Sequence, residues 1–193
     1  MYLVISEKPS VAQTIAKVLG AYQTEDGYLA GRNCIVSWCL GHLAEYAMPE
    51  AYEAAYGKWR FDDLPLIPGE WKLEVAQEKK EQFMVLKKLL TRDDLDYVVN
   101  ACDAGREGEL IFKRVYDLAK SRIPVKRLWI SSMEDKAIRD GFTHLKSGAA
   151  YKNLADASVC RAQADWLIGI TATRAYTTSY SHRLVIGRVQ TPT

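Results

Sequence analysis

Val98-Val99-Asn100-Ala101-Cys102-Asp103-Ala104-Gly105-Arg106-Glu107-Gly108-Glu109-Leu110 is the stretch whose reading decides the fold. Tyr97 to Val99 is an apolar run that predicts a buried strand. A turn of small residues follows and carries Asp103, Glu107 and Glu109. Leu110, Ile111, Val115 and Leu118 then recur at helical spacing. Acidic groups therefore stand where a strand hands over to a helix, the edge at which open parallel α/β sheets bind ligands. Two readings stay open. Acids in a first helical turn complement the helix dipole by about 0.3–1 kcal/mol each. Carboxylates about four residues apart also suit Mg2+, which takes one or two and completes its shell with water and phosphate oxygens.

The amino terminus repeats the pattern. Tyr2-Leu3-Val4-Ile5 is a short uncharged β-prone run that breaks at Ser6-Glu7-Lys8-Pro9-Ser10. Pro9 and Ser10 are residue types that open helices. Val11, Ile15, Val18 and Leu19 mark one helical face, and Gly20 is placed to cap it. Glu7 thus sits at a second strand-to-helix edge, and two parallel strands of one sheet would set it beside Asp103 and Glu107. Further strands are predicted at 28–31, 33–38, 72–75, 97–100 and 126–130. Helices are predicted at 10–19, 79–91, 106–119, 134–145 and about 150–178. Alternating strands and helices predict an α/β fold, a mainly parallel, Rossmann-like sheet covered on both faces. Residues 57–69 read as a long irregular loop, and the helical segment from about 150 lies outside the alternation.

Composition is that of an ordinary globular chain, 48% hydrophobic and 26% charged over 193 residues. No apolar run approaches the roughly 18 residues of a membrane span, and no signal-peptide core precedes a cleavage-like site. The reading is no membrane and a cytoplasmic location. Cysteines at 34, 39, 102 and 160 form no Cys-x-x-Cys pair and read as reduced core residues. The net charge of +2 gives no overall nucleic-acid signature. From 161 onward, however, arginines at 161, 174, 183 and 188 stand among threonines, serines and tyrosines against Asp165 alone. Arginine with hydroxyls is the vocabulary of phosphate contact. Lys79-Lys80 and Lys87-Lys88 read as solvated, and His42, His144 and His182 show no ligand spacing, a structural role being expected of them.

Ser6-Glu7-Lys8-Pro9-Ser10 with Asp103-Ala104-Gly105-Arg106-Glu107-Gly108-Glu109 resembles the Toprim domain of type IA DNA topoisomerases, and most nearly their topoisomerase III-like branch. Gly41-His42-Leu43, Trp59 to Pro68, Arg161 to Trp166 and Ile186 to Thr193 match in the family's order. The resemblance implies a Toprim domain over 1–150 and, over 151–193, the start of the helical domain that lines the single-strand groove. It also implies an enzyme that cuts and rejoins one DNA strand without ATP. A tyrosine attacks a phosphodiester, stays on the 5′ phosphate and releases a 3′ hydroxyl that later attacks back.

By the same resemblance Glu7 moves the proton at the 3′ oxygen, Lys8 offsets phosphoryl charge, and Glu7, Asp103 and Glu107 hold Mg2+. Arg106, Arg161, Asp165 and Arg188 contact the strand. The expected partners are single-stranded DNA and the remaining domains of a longer chain, with no small-molecule substrate. The nucleophile is expected beyond Thr193. Tyr176 and Tyr180 are read as partly buried packing or phosphate contacts, not as nucleophiles. Gly105 stands where the usual Asp-x-Asp-x-Glu pattern has a second acid, which removes one carboxylate and permits backbone angles that aspartate resists. A Toprim-type metal-dependent nuclease and a non-catalytic single-stranded-DNA-binding module remain as alternatives.

Overall fold

The computed structural model describes residues 1–187. The chain forms two compact units, residues 1–45 with 75–158, and 46–74 with the residues from 159 onward. The first unit is built on a seven-stranded sheet in the order β2-β3-β4-β1-β7-β8-β9. Its strands are β1 (Tyr2–Ser6), β2 (Gln23–Glu25), β3 (Tyr28–Ala30), β4 (Cys34–Trp38), β7 (Tyr97–Ala101), β8 (Val125–Arg127) and β9 (Lys146–Ser147). The central strands β4, β1, β7 and β8 run parallel. The edges β2–β3, β3–β4 and β8–β9 pair antiparallel.

Helices cover both faces, as a parallel centre requires. Helix α1 (Pro9–Leu19) and helix α4 (Asp135–Thr143) pack Ala12, Ile15, Ala16 and Ile138 over Val4, Val36 and Val99. On the other face α2 (Lys80–Leu90) and α3 (Arg106–Leu118) pack Leu86, Leu90, Ile111 and Val115 over Leu3, Ile5 and Val98. Leu3, Val4 and Ile5 are fully buried, each contributing about 1.5–3 kcal/mol by leaving water. Gly20 caps α1 in the left-handed region at φ 76°, donating to the Ala16 and Lys17 carbonyls.

Several sequence expectations shift. Strands β2 and β9 were not foreseen, because two or three polar residues carry no periodicity. The expected strand over 72–75 is β6 (Leu73–Val75), which pairs with the equally unforeseen β5 (Ala44–Tyr46) outside the main sheet. The strand expected to 130 stops at Arg127, where the Leu128 carbonyl accepts from the Arg127 side chain. Cys34, Cys39 and Cys102 are buried, but Cys160 is exposed on a helix surface. Among the described residues no helix is long and apolar enough to cross a membrane.

The second unit gathers three single helical turns, Pro49–Ala51, Ala54–Gly57 and Phe61–Asp63, on the later part of α5 (Lys152–Tyr180). Trp166 donates to the Ala47 carbonyl at 3.2 Å and meets the Trp71 and Tyr52 rings edge-on. Arg174, 3% exposed, donates to the Tyr56 carbonyl and lies over the Trp59 ring. Burial holds its guanidinium below the usual arginine range, against the pull of Glu50. Residues 46–74, read from sequence as part of the first domain, thus pack with the later helix. Tyr176 and Tyr180 stack on one another and are exposed, not partly buried.

Candidate functional site

Parallel register fixes the site. Ser6 lies opposite both Trp38 and Ala101, so Glu7 emerges from the central strand between Cys39 and Cys102. Glu7 is well covered, its side chain 13% exposed, with the Lys8 ammonium 3.7 Å from its carboxylate. Its backbone carbonyl accepts from Gly41 N. Lys8 is the N-cap residue of α1 with Pro9 at the first helical position, which needs no N–H there. The Cys102 thiol is pushed well up, first by its hydrogen bond with Cys39 and then by burial. Glu7 adds to that rise and Arg127 opposes it.

Asp103 follows Cys102 and is exposed. Its main chain is held from two sides. Arg127 Nη2 donates to the Asp103 carbonyl at 2.8 Å, while Nη1 donates to the carbonyls of Asn100, Cys102 and Leu128. On the other side α3 approaches so closely that a Cβ on Gly108 would meet the Asp103 carbonyl oxygen at 2.1 Å. Gly105 differs. Its φ of 165° is extended backbone open to any residue, and a Cβ there would meet nothing within 4 Å. The expectation that Gly105 supplies special backbone freedom is therefore corrected. Gly108 is the glycine that the turn requires.

The three acids of the turn part company. Glu107 and Glu109 lie about 200° apart around a helix that turns 100° per residue. Glu109 faces inward and pairs with Arg127 Nε at 2.6 Å, both side chains below a tenth exposed. Glu107, 67% exposed, meets His42 Nε2 at 2.8 Å. His42 Nδ1 is buried without a partner. Lys79, read from sequence as solvated, donates to the His42 carbonyl at 2.8 Å. Arg106 is exposed at the first residue of α3. Beside Asp103 a cavity of about 290 Å3 opens, lined by residues 101–104 with Leu128, Ile130, Ser131 and Met133.

Among the described residues, no group of three His, Cys, Asp or Glu side chains stands ready to hold a metal ion. The donors at this edge are nonetheless hard carboxylate oxygens, with open space at Gly105. That set fits a divalent cation that brings most of its own oxygens as water or phosphate. Arg161 and Asp165, one turn apart on α5, approach each other to 4.0 Å within the second unit. Arg188 lies outside the described residues. Sequence reasoning missed Arg127, Glu109 as its partner, and His42 as the partner of Glu107. Only the alternation of Val125 and Arg127 toward one face of the sheet could have hinted at the first.

Comparison with known proteins gives concordant results. The family model described as Toprim domain matches residues 2–133, and that described as DNA topoisomerase matches 149–193. The chain is 51% identical over 191 residues to DNA topoisomerase 3 of Bacillus cereus, covering 99% of this chain and 26% of the relative. The corresponding enzymes of Bacillus subtilis and Staphylococcus epidermidis are 50% and 47% identical, over 26% and 27% of their lengths. The chain therefore spans about a quarter of these relatives. Topoisomerase I of Thermotoga maritima shares the fold, with a TM-score of 0.63 at 20% identity over 98% of this chain and 28% of that one.

Proposed function

The chain belongs to the Toprim domain family, and on that premise we propose that it serves, as part of a longer protein, in cleaving and rejoining one strand of DNA as type IA topoisomerases do. The observation that carries the proposal is the adjacency of β1 and β7 in parallel register, which brings Glu7 and Asp103 to one sheet edge. Identity near 50% to DNA topoisomerase 3 from several bacteria supports it.

Glu7 is the proton carrier in this reading. It is largely covered yet stands beside Lys8, so its carboxylate can accept a proton from a 3′ hydroxyl and return it to the 3′ oxygen. Lys8, exposed, offsets charge developing on phosphoryl oxygens. Asp103, Glu107 and Glu7 would hold Mg2+, and Glu107 would leave His42 to do so. The cation would supply charge compensation for the acidic edge and the strand. Arg106 would contact the backbone, and the cavity beside Asp103 would take part of the strand. Arg161, Asp165 and Arg188 would position phosphates from the helical domain that begins near 151. The attacking tyrosine would come from outside residues 1–193, and the protein would act in the cytoplasm.

The test is a chimera in which this chain replaces the aligned residues of the Bacillus cereus relative. Relaxation of supercoiled plasmid that is kept by the chimera and lost with Glu7→Gln supports the proposal. Relaxation that survives Glu7→Gln overturns the role of Glu7. In parallel, the chain alone with Mg2+ and end-labelled single-stranded DNA should bind without cutting. Hydrolysis would point to a nuclease instead.

A further inference from the structure

The first unit also holds a cleft of about 330 Å3 away from the acidic edge, between α3, β8 and the start of α5. Its size is within the range of small-molecule sites. Asn100, Glu109 and Arg127 contribute to its lining and are 1%, 6% and 1% exposed. Phe112 and Tyr116 form a wall, their rings stacked 5.7 Å apart.

Two polar side chains in the lining have hydrogen-bonding capacity beyond the partners they hold. Asn100 Oδ1 accepts from Cys102 N at 3.1 Å. A backbone N–H can only donate, so this bond fixes the amide's orientation and leaves its NH2 to the cleft. Glu109 places Oε1 on Arg127 Nε, and a carboxylate's second oxygen is a further acceptor. A donor and an acceptor, both on side chains more than nine-tenths buried, therefore stand beside a flat apolar wall. At the rim Lys113 pairs with Asp117, and Lys152 with Asp156. The entrance is thus internally neutralised and gives a phosphate no special attraction.

We propose that this cleft binds an uncharged planar nitrogen heterocycle of nucleobase size. Its N–H would lie on Glu109, its neighbouring ring nitrogen or carbonyl on Asn100, and its ring against Phe112 and Tyr116. The Watson–Crick edge of each nucleobase offers such a donor beside an acceptor, and enzymes that hold an extruded base read it by that edge and by stacking. The ligand could be a free nucleoside or a base swung out of a strand, and the chemistry is the same. Occupancy would be felt at the acidic edge, because Glu109 holds Arg127 and Arg127 holds the Asp103 carbonyl. The inference does not depend on the strand-cleavage proposal.

The experiment is nuclear magnetic resonance titration of the 15N-labelled chain with adenosine, guanosine, cytidine and uridine. Parallel arms use a single-stranded oligonucleotide and its abasic counterpart. Saturable shifts at Gly148, Ala149 and Tyr151 are expected at a Kd of about 1 mM or tighter. Ala155→Trp, which fills the mouth from α5, should weaken binding by about tenfold or more while leaving the rest of the spectrum in place. Ala149→Trp, at an exposed lining position on the turn before α5, serves if Ala155→Trp fails to fold. Shifts given by the base-bearing oligonucleotide alone would identify a strand base as the ligand. The proposal is overturned if no arm moves these amides, if the abasic strand moves them equally, or if the rim variants leave the shifts unchanged.

Discussion

Replacing Gly108 by alanine sets two effects of opposite sign against each other. In a helix, alanine is favoured over glycine by up to about 1 kcal/mol. At this position the new Cβ would stand 2.1 Å from the Asp103 carbonyl oxygen, 2.8 Å from its nitrogen and 3.0 Å from its carbonyl carbon. Those are backbone atoms, and Arg127 Nη2 holds the same carbonyl in place. The strain therefore cannot be relieved by a rotamer change, and overpacking of this kind costs about 1–3 kcal/mol or more. The steric effect wins, and we expect a net loss of about 1–2 kcal/mol, read as a fall of about 2–8 °C in Tm for a chain of this size. Urea unfolding should give a lower midpoint at unchanged slope. Gly105→Ala is the control, since nothing lies within 4 Å of its Cβ position and its φ is extended. A Gly108→Ala protein as stable as the original, or more stable by the helix-propensity increment, would refute the close approach of α3 to the Asp103 turn.

Gly105→Asp should tighten Mg2+ binding in calorimetric titration, because it adds a carboxylate in open space beside Asp103; equal affinity would mean that this position does not face the cation. Glu109→Gln, which breaks the buried pair with Arg127, should cost about 3–5 kcal/mol and speed amide exchange around Asp103. Replacing both partners with methionine should cost clearly less than the sum of the single replacements, and simple additivity would show that the pair is not coupled. At alkaline pH stability should decline. Burial, and secondarily Cys34, push the Tyr2 phenol from 10.0 up to about 12, and the hydrogen bond with Cys39 raises the Cys102 thiol well above 9.0. Both groups stay neutral in the fold and ionise more readily once unfolded. Their contribution is complete below about pH 9 and lost as pH rises toward 12. Tyr2→Phe should flatten the upper part of that decline, and an unfolding free energy constant to pH 12 would contradict it.

What the sequence made legible was whatever a period or a run could carry. Leu3 to Ile5 and Val98 to Val99 announced buried strands, and their shared handover to helices put Glu7 and Asp103 at one edge. The residues that hold that edge in shape left no such trace. Arg127 is 1% exposed, yet an arginine in a short strand reads as a solvated one. Only the main-chain carbonyls it satisfies, brought together by tertiary folding, reveal its place. His42 and Glu107 are 65 residues apart, so no local pattern links them. Gly105 drew attention by departing from the Asp-x-Asp-x-Glu pattern, whereas Gly108, one residue beyond that pattern, is the one whose missing Cβ matters. Residues 57–69 read as a loop, and 46–56 drew no prediction, because single helical turns and aromatic packing on Trp166 have no periodic signature.

The order of strands has a consequence for the birth of the molecule on the ribosome. β1 is synthesised first and ends up in the middle, with β4 on one flank and β7 on the other. The earlier neighbour can dock once residue 38 has emerged, whereas the later one must await residue 101. Until then one edge of β1 is open, a hydrogen-bonding surface of the kind that invites mispairing. The edge that unites Glu7 with Asp103 cannot exist before β7 arrives. Nascent chains halted short of β7 should therefore be held by chaperones or aggregate, and those carried past it should resist protease.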